Sequence, residues 1–193
     1  MPPKCRFTKE VIVQTALDMV RSDGIETITA RALGDRLGSS SKPIFSLFKN
    51  MEEVQQEVIN AARDVYNQYV KDGLLQEIAF KGVGMQYIKF ARNESKLFQL
   101  LFMTEQAEKN DLFGILPLID DNYNEILLSI QSQYGIEENP AKCLYRHLWI
   151  YTHGIASLIA TNVCDFSEEE TSDMLTEVFT SLLVKLKEDK NHD

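Results

Sequence analysis

A short segment near the start of the chain carries side chains suited to bind a nucleic acid. Its members are small, hydroxylated, cationic or ring-bearing: Ser40, Ser41, Lys42, Pro43, Phe45, Ser46 and Lys49. Serine hydroxyls can hydrogen-bond to base edges or phosphates, lysine can reach guanine acceptors or phosphates, and proline or phenylalanine can contact a thymine methyl group. These types and their spacing predict a DNA-contacting face, and the alternative is a polar face that only meets solvent.

Catalytic and metal-binding chemistry has weaker support in the sequence. Cys143 and His147 are four residues apart and would share a helix face, as half of a metal site or as a thiol and its base. No third ligand follows at a recognisable spacing, and no HExxH motif occurs. Gly82 and Gly84 are followed by Tyr87 where a dinucleotide-binding fingerprint needs another glycine. We therefore predict that the chain is not an enzyme and uses no metal or other cofactor.

Charge is distributed unevenly along the chain. The 193 residues are 44% hydrophobic and 25% charged, which is typical of a globular protein, and carry a net charge of −9. Such a charge disfavours a nucleic-acid partner. However, residues 1–50 hold eight basic and five acidic side chains, whereas the remainder holds 12 basic and 24 acidic ones. This asymmetry indicates a basic head and an acidic body, unless the clustering is due to chance.

Cysteines and apolar runs bear on the compartment. Cys5, Cys143 and Cys164 are too widely spaced for a disulfide framework or a CxxC metal site. The longest apolar stretches, residues 148–151 and 155–160, are far shorter than the roughly 20 residues of a membrane-spanning helix. The basic residues near the start are not followed by the apolar run of a secretory signal. We expect a cytoplasmic protein without a membrane partner.

Helix signals in the first 50 residues position the polar segment. Thr8 is the predicted N-cap of a first helix that Gly24 ends, and Thr29 that of a second helix ended by Gly38. A brief third helix follows, in which Pro43 is tolerated because the amide groups of the first turn lack helical partners. Two short helices around a glycine-containing turn are the helix-turn-helix pattern, whose second helix enters the DNA major groove.

Helical periodicity continues to the end of the chain. A capping box at Asn50 and Glu53 predicts a helix to about residue 71, with Gly73 as a stop. Further helices are predicted over 75–91, 94–103 and, after a loop at 110–114, about 117–134. The last two begin at Asn139-Pro140 and at a cap formed by Ser167. We expect about nine helices in total. The predicted fold class is all-α, with a three-helix helix-turn-helix DNA-binding head over residues 1–50 and a helical ligand-binding and dimerisation body over residues 51–193.

The last two predicted helices carry apolar stripes that extend further than one small body could cover. The stripes occupy residues 144–158 and 174–186, the second through Leu175, Phe179, Leu182 and Leu186. Two chains could bury them in a four-helix interface, which predicts a homodimer. The alternative is that both stripes pack inside one chain.

Aromatic side chains are frequent among the middle and late helices. The predicted ligand-binding residues are Tyr87, Phe90, Phe98, Phe102, Tyr123, His147, Trp149 and Tyr151, and Phe113 belongs to the same aromatic population. Apolar walls with a few polar anchors suit a small, largely apolar ligand. The alternative for each residue is an ordinary position in the core.

Four consecutive runs keep a combined order and spacing that is specific. They are Asp23-Gly24-Ile25-Glu26-Thr27-Ile28-Thr29, Ala32-Leu33-Gly34-Asp35-Arg36-Leu37-Gly38, Ser40-Ser41-Lys42-Pro43-Ile44-Phe45-Ser46-Leu47-Phe48 and Asn50-Met51-Glu52-Glu53-Val54. Residues 7–54 thereby resemble the DNA-binding head of the TetR family of bacterial transcriptional regulators. Trp149, His153 and Gly154 add a second, weaker resemblance to the eighth helix of that family.

The resemblance implies a homodimer whose two heads bind double-stranded DNA at a pseudo-palindromic operator. A ligand in the helical body would change the distance between the recognition helices. By position, Thr29 and Arg31 would contact phosphate, Ser40, Ser41, Lys42 and Pro43 would lie over bases or backbone, and Phe45 and Lys49 would flank phosphates. Phe45 stands where the family usually has tyrosine, and Met51 where lysine is frequent.

The sequence as a whole therefore predicts a sequence-specific DNA-binding transcriptional regulator. We expect a repressor that a small, largely apolar effector releases from its operator. The alternative is a helical DNA- or protein-interaction protein without small-molecule control.

Overall fold

Helices account for the regular secondary structure of the described chain. A computed structural model describes residues 7–105, 116–117 and 120–189, and the predicted loop at 110–114, Cys5 and Phe113 lie outside them. The helices are α1 (Lys9–Asp23), α2 (Ala30–Arg36), α3 (Lys42–Leu47), α4 (Met51–Leu74), α5 (Ala79–Asn93), α6 (Ser95–Phe102), α7 (Tyr123–Tyr134), α8 (Glu138–Ala160) and α9 (Glu168–Asp189), with a 3-10 turn at Ile25–Thr27. No strand occurs in these residues, so the all-α class and the helix count are confirmed.

Local capping chemistry sets several helix ends as predicted. The Thr8 hydroxyl accepts a hydrogen bond from the Val11 N–H at 3.3 Å, and α1 ends before Gly24, whose φ of +89° favours glycine. The Thr29 hydroxyl caps α2 by accepting from the Ala32 N–H at 3.1 Å. Ser167 caps α9 by accepting from the backbone N–H of the residue three positions on.

The start of α4 differs from a standard capping box by one residue. The Asn50 side chain accepts from the Glu53 N–H at 2.9 Å, as predicted. The Glu53 carboxylate, however, accepts from the Lys49 N–H at 2.7 Å, one residue before the cap. Two N–H groups that have no helical partner are still satisfied, so the helix start is stable.

Predicted helix boundaries in the middle of the chain were wrong, and at Gly73 a close tertiary contact explains the difference. Gly73 does not stop α4, which continues to Leu74. A Cβ atom at Gly73 would lie 2.7 Å from the backbone of Val83, so glycine is needed where α4 and α5 cross closely. The following helix, α5, begins at Ala79 instead of residue 75, and α7 begins at Tyr123 instead of about residue 117.

The start of α8 also lies earlier than predicted. Glu137 is its N-cap, and the helix begins at Glu138, so Asn139 is already helical. Pro140 remains within the first turn, where its missing N–H costs no helical hydrogen bond. The sequence signal therefore located the first turn but not its first residue.

The described chain divides into two compact units. The first comprises the described residues up to Val65 together with Glu94–Thr104, and thus α1, α2, α3, the first part of α4, and α6. Its core is fully buried and apolar, with Ile12, Leu33, Ile44, Val54 and Leu97 among its members. The unit is larger than the predicted 1–50 head, because the short helices α2 and α3 need α4 and α6 to complete a core.

The second unit comprises Tyr66–Asn93 and the described chain after Thr104. Its helices are the last part of α4 with α5, α7, α8 and α9, and α5 packs most extensively against α8. Leu144, Leu148 and Ile155 of the predicted interface stripe are buried inside this unit. No described helix combines the length and apolar character that crossing a membrane requires.

Candidate functional site

The connection between α2 and α3 is a tight turn. Gly38 adopts φ of +63°, and the Ser39 N–H donates back to the Gly34 carbonyl at 2.9 Å. A Cβ atom at Gly34 would lie 3.1 to 3.2 Å from backbone atoms of residues 39–41. Glycine at position 34 therefore lets the turn close against α2, and this closure fixes the direction in which α3 leaves it.

One face of α3 anchors the helix and the other meets solvent. Ile44 is fully buried and Phe48, its C-cap residue, is 2% exposed, so both belong to the core of the first unit. Phe45 lies next to Ile44 in sequence but is 47% exposed. The predicted DNA-contacting residues of this segment are exposed or half-buried: Ser40, Ser41, Lys42, Pro43, Phe45, Ser46 and Lys49.

The two predicted phosphate contacts of α2 are also exposed. Thr29 uses its oxygen to accept from the Ala32 N–H, which leaves its hydroxyl proton available to donate. Among the described residues, neither Arg31 nor Lys42 has an ion-pair partner. Cations without a partner in their own chain are suited to pair with phosphate.

A charged cluster ties α1 and α4 to the end of α3. The Lys9 ammonium lies 3.1 Å from one Glu53 carboxylate oxygen and 4.8 Å from the centre of the Phe48 ring. The other Glu53 oxygen accepts from the Lys49 N–H. That hydrogen bond, followed by the contact with Lys9, lowers the pKa of Glu53, which is therefore ionised at neutral pH. The cluster thus joins α1, the residue after α3 and the first turn of α4 through polar contacts.

A cavity of about 250 Å³ lies within the second unit, bordered by residues of α4, α5, α7, α8 and α9. Its walls are largely apolar, and Phe80, Trp149 and Phe179 contribute rings. Its polar lining includes Tyr66, Tyr87, Tyr145, Thr152 and Asp120. This combination of apolar walls and few polar groups is typical of small-molecule sites.

Asp120 is the acidic residue of this lining and is only 3% exposed. The Tyr66 and Tyr145 hydroxyls each donate to its Oδ2 at 3.1 Å, and the Asn122 N–H donates to its Oδ1 at 3.0 Å. Burial raises the pKa of Asp120, although the hydrogen bonds that it accepts oppose this rise. Burial and the neighbouring carboxylate raise the pKa values of both tyrosines well above the ordinary value, so the hydroxyls remain donors.

Tyr87 connects the lining to a histidine of α8. Its hydroxyl lies 2.9 Å from Nδ1 of His153, whose ring stacks on Trp149 with centroids 4.8 Å apart and an interplanar angle of 11°. Burial lowers the pKa of His153, which favours the neutral imidazole at neutral pH. His153 and Trp149 are thus packed side by side. Together with Gly154, they are the residues of the weaker sequence resemblance.

Tyr87 and Trp149, from the predicted ligand-binding set, line the cavity, and the others lie elsewhere. Phe90 is fully buried in the core of the second unit. Tyr123 stacks on Tyr145 outside the lining, with ring centroids 5.5 Å apart. His147 is exposed and Tyr151 half-buried, whereas Phe98 and Phe102 belong to the first unit.

Several lining residues were not among the predicted ligand contacts. Among them are Phe80, Asp120, Tyr145, Thr152 and Phe179. Asp120 gave no signal, because an acid followed by Asp121 and Asn122 is typical of a solvent-exposed loop. The seven-residue spacing of Phe80 and Tyr87 was a weak signal that both lie on one side of α5.

Cys143 and His147, which were considered for catalysis, both contact Arg146 of α8. Cys143 accepts from an Arg146 guanidinium nitrogen at 3.8 Å, and the same nitrogen lies 3.4 Å from Nε2 of His147. No set of three His, Cys, Asp or Glu side chains in the described part of the chain could hold a metal ion. Gly82 is buried at the crossing of α5 with α4, where a Cβ atom would collide with Gln76.

Two comparisons with known proteins found no match for the chain: no family model matches it, and no curated protein matches it. The functional inference therefore rests on the exposed face of α3 and on the cavity of the second unit.

Proposed function

We propose that this chain is a sequence-specific DNA-binding transcriptional regulator in which α2 and α3 form a helix-turn-helix and α3 enters the major groove. The observation that carries the proposal is the two-sided character of α3. Ile44 and Phe48 are buried, while Lys42, Phe45 and Ser46 are exposed. The Phe45 ring is 47% exposed on the solvent-facing side of α3, where it could contact a thymine methyl group, a base or a sugar.

Charge limits how much of the affinity can come from phosphates. The proposal assigns three exposed cations of each chain to DNA, namely Arg31, Lys42 and Lys49. A dimer would then place about six cations on phosphates, which predicts a slope of about −5 in a plot of log K against log[salt]. The net charge of −9 further weakens non-specific attraction. The regulator should therefore depend strongly on base contacts and DNA shape, and should discriminate sharply between operator and other DNA.

The proposal includes membership of the TetR family and a homodimer. Support for the dimer comes from an exposed apolar face of α8 formed by Ile150, Gly154 and Leu158, which follow one another at four-residue spacing. A Cβ atom at Gly154 would meet no atom within 4 Å, so this face is open to a close helix approach. Val184 of α9 is 50% exposed and adds to the apolar surface available for an interface.

The cavity supports control by a small molecule. A repressor would leave its operator when an effector occupies the cavity and stabilises a spacing of the heads that does not fit the DNA. The largely apolar walls, with Trp149 among them, suit an effector with an apolar body.

A gel-shift titration of genomic fragments at several salt concentrations tests the proposal. We expect one or a few fragments to bind at least about 10³-fold more tightly than bulk DNA, with a salt dependence near the stated slope. Absence of a fragment-selective, salt-sensitive shift would reject DNA regulation and favour a helical protein-interaction module. Selective binding that no cavity ligand alters would favour a DNA-binding protein without small-molecule control.

A further inference from the structure

The cavity of the second unit contains a buried acid whose charge is not neutralised within the described chain. Asp120 lines the cavity and is 3% exposed. Its hydrogen-bond partners are the Tyr66 hydroxyl, the Tyr145 hydroxyl and the Asn122 N–H, all of which are uncharged. No described Lys, Arg or His lies within ion-pair distance of its carboxylate.

Neutral donors compensate a buried carboxylate only in part. They satisfy its lone pairs, but the loss of hydration of a full charge remains unfavourable unless an opposite charge is nearby. Burial raises the pKa of Asp120 for the same reason, because it removes water from around the charged form. A cation placed in the cavity beside Asp120 would therefore gain a strong partner, because the carboxylate is only 3% exposed and weakly screened by solvent.

None of the other titratable groups of the described lining supplies a positive charge to Asp120. Lys81 is the cationic residue of the described lining, and it forms no ion pair with Asp120. His153 contacts the Tyr87 hydroxyl, and burial lowers the pKa of His153 and so favours the neutral imidazole. The remaining titratable side chains of the described lining are tyrosines that retain their protons near neutral pH.

The walls complete a site for an amphipathic ligand. The rings of Phe80 and Tyr145 meet edge to face with centroids 5.8 Å apart, and Tyr145 also donates to Asp120. Aromatic rings of the same lining favour a cation, and Trp149 and Phe179 offer apolar contact. The volume of about 250 Å³ admits a body of roughly one aromatic ring with a short chain.

We infer that the cavity binds a compact amphipathic amine, with the protonated nitrogen against Asp120 and the apolar body among Phe80, Trp149 and Phe179. This inference rests on the proposed function, which it deepens by naming the chemical class of the effector. It differs from the expectation of a largely apolar ligand in that one end of the inferred ligand is cationic.

Three probes of similar shape and different charge test the inference on the wild-type chain. They are 4-phenylbutylamine, its neutral counterpart 4-phenylbutan-1-ol and the acid 4-phenylbutanoate, titrated by calorimetry and by the fluorescence of Trp149, the single tryptophan. We expect the amine to bind at least about tenfold more tightly than the alcohol, and the acid not to bind. Equal binding of amine and alcohol, preference for the acid, or no binding of any probe would overturn the inference.

A pair of matched variants assigns the charge effect to one residue. Asp120→Asn keeps an acceptor for the tyrosine hydroxyls and removes the charge, so amine affinity should fall at least about tenfold while alcohol affinity is unchanged. Asp121→Asn makes the same change at an exposed neighbour outside the lining and should alter neither probe. If circular dichroism shows that Asp120→Asn does not fold, the comparison of the three probes on the wild-type chain still tests the inference.

The binding measurement contains no DNA, so the two proposals can fail separately. A chain that prefers the amine but selects no genomic fragment would retain this inference and lose the proposed regulatory function. A chain that selects a fragment but binds amine and alcohol equally would retain regulation and lose the amine site.

Discussion

Lys42 is exposed at the start of α3 and has no ion-pair partner among the described residues. If it reads a base, Lys42→Ala should weaken binding to the selected fragment by about 1 to 3 kcal/mol and reduce discrimination. If it contacts phosphate, the loss should be equal on all DNA, and the salt slope should fall by about one unit per head. Binding isotherms of both DNAs at several salt concentrations distinguish the two roles.

Lys71→Ala is the control for this substitution, because Lys71 is an exposed lysine near the end of α4. It removes the same charge from the body and should leave fragment affinity nearly unchanged. Unaltered affinity of Lys42→Ala on both DNAs would contradict either role for Lys42.

Glu53 gives the first unit a pH-dependent stability. Its pKa in the folded chain is lowered by the Lys49 N–H and by Lys9, so its contribution is present above its unfolded pKa and is lost as pH falls through the folded value. Glu53→Gln should therefore be less stable than the wild type at pH 7, and the difference should shrink in acid. Urea unfolding at both pH values measures this change.

Glu52→Gln is the matched control for the pH experiment, since Glu52 is exposed one residue earlier in α4. We expect it to show no comparable pH-dependent difference. A loss of stability in Glu53→Gln that is equally large at pH 7 and in strong acid would mean that the charge of Glu53 has no part in the cluster.

At the scale of elements, two helical glycines should respond in opposite ways to the same substitution. A Cβ atom at Gly73 would lie 2.7 Å from the Val83 backbone, so Gly73→Ala should destabilise the second unit by about 1 to 3 kcal/mol. Gly154 has open space, so Gly154→Ala should stabilise a single chain by about 0.5 to 1 kcal/mol through helix propensity. Chemical denaturation of both variants, at a concentration where the chain is monomeric, measures these effects, and a neutral Gly73→Ala would refute the close crossing.

Helix ends that depend on neighbouring residues could be predicted from the sequence. Thr8 and Ser167 cap helices through hydrogen bonds spanning three residues, and Gly24 has a positive φ, so the information lies within one turn. The same reasoning failed at Gly73. Its role depends on Val83 of another helix, and no local pattern distinguishes a glycine that ends a helix from one that permits a crossing.

The cavity could be predicted only in part, because it is assembled from distant segments. Tyr87 and Trp149 were in the predicted set because aromatic residues are visible in the sequence, but many aromatics, such as Phe90, fill the core instead. Asp120 becomes part of a site through its hydrogen bonds with Tyr66, 54 residues earlier, and Tyr145, 25 residues later. Those contacts arise from helix packing, which single-sequence periodicity does not determine.

At the scale of the whole molecule, the proposed dimer rests on the apolar face of Ile150, Gly154 and Leu158. Ile150 is 47% exposed in the single chain, so Ile150→Glu should leave the fold intact while placing a charge in the interface. Light scattering after size-exclusion chromatography should show a change from two chains to one. Leu128→Glu, at a position that is 62% exposed on α7, should remain dimeric.

The most direct measurement of the central claim is hydroxyl-radical footprinting of the DNA fragment that the chain selects, with the chain bound. Two copies of α3, related by twofold symmetry, should protect two half-sites whose centres are about 34 to 36 Å apart, or a multiple of one helical turn. Ile150→Glu, which separates the chains, should abolish the paired pattern at the same protein concentration. Uniform weak protection along every duplex, or one unpaired protected patch, would contradict the account.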